Sequence, residues 1–154
     1  TELVGDVIDE ALKHIHKKSE MQKITVIQQD ELLLAKMDAR LIVQVLINLL
    51  DNAIKYTPSD SQITITAKKD GNMISVSVSD NGNGIADEQK SRVFDMFYTG
   101  TNKIADSRRS IGLGLSLCKS IINAHGGKIT ITDNNPHGAV FTFTLPIGEV
   151  EIHE

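Results

Sequence analysis

Aromatic side chains are scarce in this 154-residue chain, which has no tryptophan, four phenylalanines and two tyrosines. Its core must therefore consist mainly of isoleucine, leucine and valine. Cysteine is nearly absent too, and the single Cys118 excludes an internal disulfide, which favours a reducing, cytoplasmic compartment. No run of about 18 apolar residues occurs, so we expect no direct membrane contact from this segment.

A strong excess of charge is also lacking. With 16 Lys and Arg against 20 Asp and Glu, the net charge is −4, which argues against a nucleic-acid partner. Hydrophobic residues make up 40% and charged residues 23%, as is ordinary for a globular domain. The length fits one domain, which we place at residues 1–146, and we expect residues 147–154 to be a frayed, acidic C-terminal tail.

The most informative stretch is an apolar pattern over residues 38–56, which predicts an α-helix with Asp38 as its N-cap. Asn48, Asn52 and Lys55 share one face of this helix. Amide oxygens are hard ligands that suit Mg²⁺, and a neighbouring lysine suits phosphate. From the helix alone, a polar face without a ligand is an equally good interpretation. The core-facing stripe, spaced for a separate face, is Ile42, Leu46, Leu49, Leu50 and Ala53.

A β-hairpin follows, in which the phase of the second strand is informative. Residues 62–67 and 74–79 alternate apolar and polar side chains, with a turn at residues 70–72. Because successive side chains point to opposite faces of a strand, Asp80 falls on the same core-directed face as Val78. A buried carboxylate needs a partner, and no lysine or arginine adjoins it in sequence. A hydrogen-bond donor from a ligand is therefore a candidate.

Two glycine pairs are candidates for ligand contacts. Gly82 and Gly84 follow Asp80, and they either form an ordinary turn or let the backbone approach a flat ligand. Gly112 and Gly114 stand at the start of a predicted helix, where exposed N–H groups bind phosphates. Small residues at that position also permit close helix–sheet packing.

The remaining patterns complete an α/β fold. We predict a two-layer α/β sandwich, with helices packed on one face of a mixed, mostly antiparallel sheet. Cys118, on the apolar face of the helix that begins near Ile111, is interpreted as a core residue. The other predicted elements are a helix over residues 1–18 and short strands over residues 23–28, 32–35, 128–132 and 139–145.

Four separated motifs resemble, in order and spacing, those of the catalytic ATP-binding domain of sensor histidine kinases. They are an N box at residues 48–56 (NLLDNAIKY), a G1 box at 80–84 (DNGNG), an F box at 94–97 (FDMF) and a G2 box at 112–115 (GLGL). The resemblance covers nearly the whole chain and places it in the wider superfamily of gyrase B, Hsp90 and MutL, with a Bergerat-type ATP-binding fold. Among the kinases, the sequence is most similar to the potassium-responsive Kdp-type sensors.

The resemblance implies ATP and Mg²⁺ as cofactors and assigns roles to individual residues. Asp80 would accept a hydrogen bond from the adenine amine. Asn52 with Asn48 would hold Mg²⁺, and these two with Lys55 form the implied catalytic set. Residues 99–110 would form a lid over the nucleotide. The implied nucleotide contacts are Asn48, Asn52, Lys55, Tyr56, Asp80, Gly82, Gly84, Ile85, Gly112, Leu113, Gly114 and Leu115.

The implied activity is that of a protein histidine kinase, which transfers the γ-phosphoryl group of Mg-ATP to a histidine on its own dimerisation domain, with a response regulator downstream. Two departures from the family pattern bear on this. Ser110 replaces a glycine that many members carry shortly before Gly112. No histidine-box pattern occurs in the sequence, so we expect the phosphoacceptor to lie outside this chain. The chain would then be the cytoplasmic end of a membrane-anchored sensor.

Three other functions share parts of this pattern. An ATP hydrolase switch of the gyrase or MutL type carries a glutamate as general base where Asn48 stands, and an amide cannot take a proton. An anti-sigma-type serine kinase has the same fold and fits the same motifs. A nucleotide-binding interaction module without catalysis would not need Asn52, Asp80 and Gly112 together.

Overall fold

The computed structural model describes residues 1–15, 23–28, 33–56, 62–82, 111–134 and 137–148, with only the backbone described at 55, 56 and 111–114. The helices in this part of the chain are α1 (Val4–Ile15), α2 (Ala39–Tyr56) and α3 (Ile111–Ala124). None of these helices is long and apolar enough to cross a membrane. The strands are β1 (Glu2–Leu3), β2 (Lys23–Gln28), β3 (Leu34–Ala35), β4 (Gln62–Asp70), β5 (Met73–Asp80), β6 (Ile129–Asp133) and β7 (Ala139–Pro146).

Five strands form one sheet in the order β2-β4-β5-β7-β6. Only the β2–β4 pair is parallel, and the other three neighbouring pairs are antiparallel. The predicted hairpin turn joins β4 to β5, and Gly71 there has a positive φ of 61°. This left-handed conformation is one that glycine adopts without steric cost. The prediction of a mixed, mostly antiparallel sheet is therefore confirmed.

One face of the sheet forms the core together with the helices. The register places Ile65 of β4 opposite Val78 of β5, and Val78 opposite Phe141 of β7. All three side chains are buried, as is the whole predicted stripe of α2. Helix α2 packs between α1 and α3, and both α2 and α3 contact the sheet. This arrangement is the predicted two-layer α/β sandwich.

A second, two-stranded sheet corrects the prediction at both ends of the chain. Leu3 pairs with Leu34 in the antiparallel β1–β3 sheet, so α1 begins at Val4 and not at residue 1. Residues 2 and 3 are extended and not helical because their hydrogen bonds with β3 replace those of a first helical turn. Ile147 and Gly148, expected to be frayed, donate backbone hydrogen bonds to the carbonyls of Asn72 and Leu34.

Two side chains fix the start of α2. The Asp38 carboxylate accepts hydrogen bonds from the backbone N–H groups of Arg40 and Leu41, which confirms it as the N-cap. The Asp38 N–H in turn donates to Nε2 of His125, 3.0 Å away. His125 donates from Nδ1 to the carbonyl of Ile121 in α3 at 2.7 Å. The end of α3 is thereby tied to the start of α2.

The end of α3 is a two-glycine stop. Gly126 has a φ of 79°, and its N–H donates to the carbonyl of Asn123. The N–H of Gly127 donates to the carbonyl of Ile122, which completes a Schellman motif. A Cβ on Gly127 would stand 1.8 Å from the carbonyl oxygen of Thr144, whereas a Cβ on Gly126 would meet nothing within 4 Å.

These neighbouring glycines give a matched pair of variants. Gly126→Ala strains only the local backbone, so we expect a loss of about 1–2 kcal/mol in the free energy of unfolding. Gly127→Ala forces α3 away from β7, so its cost should reach about 3 kcal/mol or more. Urea unfolding of both variants measures the difference. Equal losses would show that contact with β7 does not set the position of α3.

Candidate functional site

Helix α2 directs an asparagine oxygen into a buried position without a protein donor. Asn52 Oδ1 is buried and has no hydrogen-bond partner in the part of the chain that the structure describes. A buried acceptor without a donor costs about 1–3 kcal/mol, and native structures satisfy nearly all such groups. A hard cation or a ligand donor would remove this cost. The amide oxygen therefore fits the Mg²⁺ role that the motif implies for Asn52.

The described residues contain no group of three or more His, Cys, Asp or Glu side chains that could hold a metal ion. A magnesium ion beside Asn52 would therefore need ligands other than a cluster of these side chains. Mg²⁺ commonly takes one or two protein ligands and completes its shell with phosphate oxygens and water. The donor set that α2 provides is suited to a metal that arrives with a triphosphate.

Asn48, one helical turn before Asn52, is held by its neighbours. Its Oδ1 accepts a hydrogen bond from Nε2 of Gln44 at 3.1 Å. The Cys118 thiol of α3 lies 3.8 Å from the Val45 carbonyl, to which it donates, and it is also hydrogen bonded with the Asn48 side chain. The amide of Asn48 is thus oriented by both helices, whereas Asn52 Oδ1 accepts no such bond.

Cys118 is a core residue, as predicted. Its side chain is fully buried between α3 and α2. Burial raises the pKa of the thiol from its ordinary value of 9.0 to about 12, and the hydrogen bond with Asn48 offsets only part of that rise. The thiol is therefore neutral in the folded protein and has the character of an inert packing group.

At the other side of the site, the end of β5 carries the predicted core-facing carboxylate. Asp80 is only 7% exposed. Its Oδ1 accepts hydrogen bonds from the N–H of Gly82 at 2.9 Å and of Ala139 at 3.3 Å. No described lysine or arginine forms an ion pair with it, and within the described ranges Oδ2 accepts no hydrogen bond. One carboxylate oxygen is thus anchored by the backbone while the other is left for a donor.

The turn between β6 and β7 holds the backbone around Asp80. The side chain of Asn134 donates to the Asp80 carbonyl, 2.6 Å away, and Nδ1 of His137 donates to the Gly82 carbonyl, 2.9 Å away. Gly138, with a φ of 115°, lies so close that a Cβ would stand 2.0 Å from the Asp80 carbonyl oxygen. In the sequence these residues stand between the strands predicted over residues 128–132 and 139–145, and no sequence pattern linked them to Asp80. Antiparallel pairing of β5 with β7 is the signal that could have brought them beside Asp80.

The other predicted site residues are described less completely. Lys55 and Tyr56 lie in the last turn of α2, and Gly112, Leu113 and Gly114 in the first turn of α3, at backbone level only. Leu115 follows in α3 with a buried side chain. Gly84, Ile85, the F box and the lid at 99–110 fall outside the described residues. Their roles stay predictions.

Comparison with known proteins assigns the chain to a family by sequence. The sequence profile described as histidine kinase-, DNA gyrase B- and HSP90-like ATPase matches residues 37–149. The sensor protein KdpD of Clostridium acetobutylicum is 42% identical over 145 residues, which cover 94% of this chain. The chain spans only 16% of the length of that relative.

Solved structures show the same similarity in three dimensions. The catalytic domain of the histidine kinase ThkA, in a nucleotide-free form, is 34% identical with a TM-score of 0.80, and the match covers 94% of this chain and 93% of that one. A structure of ThkA in complex with the response regulator protein TrrA matches 94% of this chain and 40% of that one, at 33% identity and a TM-score of 0.76.

The buried thiol gives a pH-dependent test of how α3 packs on α2. Because its pKa is near 9.0 when exposed and about 12 in the folded protein, the unfolded state loses the proton first as pH rises. The contribution of the Cys118 thiol to the free energy of unfolding is fully present below about pH 9. At pH 10 it should be smaller by about 1.4 kcal/mol.

Urea unfolding of wild type and Cys118→Ala, each at about pH 7.5 and pH 10, isolates this effect because other titrating groups are common to both proteins. The wild type should lose more stability than the variant. An equal loss in both would mean that the thiol is already accessible to solvent in the folded state.

Proposed function

The chain belongs to the histidine kinase-, DNA gyrase B- and HSP90-like ATPase family, and from this premise we propose that it transfers the γ-phosphoryl group of Mg-ATP to a histidine on a dimerisation domain. It is a catalytic ATP-binding domain of the sensor histidine kinase type. The acceptor would lie outside the residues of this chain.

The observation that carries the proposal is the half-anchored carboxylate of Asp80. Two backbone N–H groups fix Oδ1, and the described ranges supply no donor to Oδ2. The adenine amine is a neutral donor of the right kind for that oxygen, and a guanine would present an acceptor instead. The position of Asp80 at the end of β5 therefore supports the proposal that this side chain recognises adenine.

The remaining chemistry depends on position and charge. Asn52 would hold Mg²⁺ with the triphosphate, and Lys55 would contact phosphate at the end of α2. When bound, Mg²⁺ neutralises charge on the phosphate oxygens. The N-terminal turn of α3 would direct backbone N–H groups at the same phosphates. Phosphoryl transfer relies mainly on such positioning and electrostatic stabilisation.

Asn48 favours transfer to a protein side chain over hydrolysis. An efficient hydrolase needs a general base that takes a proton from water, and the amide of Asn48 has no basic group for this. Its Oδ1 already accepts a hydrogen bond from Gln44. Water in the site would therefore lack activation, so ATP persists until an acceptor histidine arrives.

The proposed setting is a two-component sensor. The similarity to KdpD supports a Kdp-type sensor, with this domain at its cytoplasmic end. By analogy with the complex of ThkA and TrrA, a response regulator would be the downstream partner. The proposed direct partners are ATP and the sensor's own dimerisation and phosphotransfer domain.

A phosphotransfer assay tests the proposal. The chain is incubated with Mg²⁺ and γ-labelled ATP, with a separately made dimerisation domain of a Kdp-type sensor, and the same domain without its acceptor histidine serves as control. We expect acid-labile, base-stable label on the intact domain alone. Acid-stable label would indicate a serine kinase, and phosphate release above about 1 s⁻¹ would indicate a hydrolase. Nucleotide binding without any transfer would indicate an interaction module.

Asp80→Asn tests the adenine contact. The asparagine oxygen can keep the bonds from Gly82 and Ala139, which leaves its NH₂ group facing the adenine amine, so two donors oppose each other. We expect a loss of about 1–3 kcal/mol in ATP binding, tenfold or more. Calorimetry measures it, with the exposed Asp70→Asn as a control of the same chemical change. Unchanged affinity in a folded Asp80→Asn protein would contradict the adenine assignment.

Asn52→Ala tests the metal role. The variant removes the buried oxygen that lacks a protein donor, so its Mg²⁺-dependent gain in ATP affinity should fall by about tenfold or more. Titrations with Mg²⁺ and with a chelator measure that gain. Asn123→Ala, at an exposed position in α3, is the control. Folding stability should not fall, because no protein hydrogen bond to this oxygen is lost. A variant that keeps the full gain would exclude Asn52 as a ligand.

A further inference from the structure

We propose that the turn between β6 and β7 is a positioning element of the adenine site and that His137 is the side chain by which it sets the path of the backbone at Gly82. This inference rests on the proposed binding of adenine by Asp80. None of the four motifs that define the nucleotide site includes the turn. The turn lies far from Asp80 in sequence: Asn134 is 54 positions from Asp80, and His137 is 55 positions from Gly82.

Three donors from this turn and the strand after it act on one short stretch. Asn134 binds the Asp80 carbonyl, the N–H of Ala139 binds the Asp80 carboxylate, and His137 binds the Gly82 carbonyl. The turn is itself closed by a hydrogen bond from the Asn134 N–H to the Gly138 carbonyl at 3.0 Å. The three donors therefore come from one closed turn and its adjoining strand, and they bind the carboxylate and the backbone that follows it.

Gly82 is the point on which this arrangement depends. Its N–H holds Oδ1 of Asp80 and its carbonyl is held by His137, so both polar groups of this residue are hydrogen bonded. The bond to Oδ1 fixes the rotation of the carboxylate, and that rotation determines where Oδ2 points. If the Gly82 carbonyl were released, the Gly82 backbone and the Asp80 carboxylate could rotate together.

The role of His137 is separable from core packing. Its side chain is exposed, so it contributes little burial, and its polar contact within the described residues is the bond from Nδ1 to the Gly82 carbonyl. Gly138, by contrast, is buried against the Asp80 backbone, and any side chain there would collide. His137 can therefore be replaced without opening the core, which makes it the residue to test.

Loss of the hydrogen bond from His137 to Gly82 should affect recognition of the base and not of the triphosphate. Rotation of Asp80 weakens the contact with the adenine amine but leaves the triphosphate contacts on α2 and α3 in place. ATP and GTP share the triphosphate and ribose and differ only in the base. The ratio of ATP to GTP affinity therefore reports the position of Asp80, whereas a general loss of structure would weaken both ligands alike.

Two substitutions separate the donor from the shape. His137→Leu has similar bulk without a donor, and His137→Asn keeps an NH₂ group near the position of Nδ1. We measure the binding of Mg-ATP and Mg-GTP to wild type and both variants, with urea unfolding as the check on stability. His137→Leu should bind ATP about five- to twentyfold more weakly, with GTP changed by less than about twofold. His137→Asn should restore ATP binding to within about twofold of wild type.

Each other result overturns the inference. ATP binding by His137→Leu at the wild-type level would show that the bond to Gly82 does not position Asp80. A parallel loss of ATP and GTP would indicate a structural role only, and failure of His137→Asn to restore binding would exclude the hydrogen bond as the cause. Failure of the proposed function is distinguishable, because wild type would then bind no ATP or Asp80→Asn would bind it normally.

Discussion

Burying the Asp80 carboxylate at the core-facing end of β5 costs free energy unless donors replace the water that it loses. The fold meets this constraint with backbone N–H groups from two different elements, the loop after β5 and the first residue of β7. That solution requires β7 to lie beside β5 in the observed register. The position of the Asp80 side chain thus depends on the order of the sheet and on the turn that precedes β7.

Helix α2 joins the core to the site in a similar way. Its apolar stripe is buried against α1, α3 and the sheet, and packing of that stripe fixes the rotation of the helix about its axis. The same rotation determines where Asn48 and Asn52 point. Asn48 is stabilised by Gln44 and Cys118, but the buried oxygen of Asn52 is not. The protein therefore bears a local cost in stability at the position where a ligand would supply the missing partner.

Much of the fold and part of the candidate site could be predicted from the sequence, because the informative patterns are local and periodic. The stripe of α2, the alternation of β4 and β5 and the inward direction of Asp80 all follow from fixed side-chain periods. The β1–β3 pair could not be predicted, since two-residue strands carry no periodic signal. The contacts of Asn134 and His137 were missed for a related reason, because turn residues are recognised by local propensity and their partners lie across the sheet. The tie between His125 and Asp38 spans 87 positions and was equally hidden.

In the proposed complex, the adenine base binds at Oδ2 of the Asp80 carboxylate while Asn52 faces the metal and phosphates. A crystal structure of the chain with Mg²⁺ and a non-hydrolysable ATP analogue tests it most directly. We expect the adenine amine within hydrogen-bonding distance of Oδ2 of Asp80, with Oδ1 still bound to Gly82 and Ala139. Asn52 Oδ1 should be directed at the metal. A base bound away from Asp80, or an Asp80 carboxylate that points back into the protein with nucleotide present, would show that Asp80 does not recognise the base.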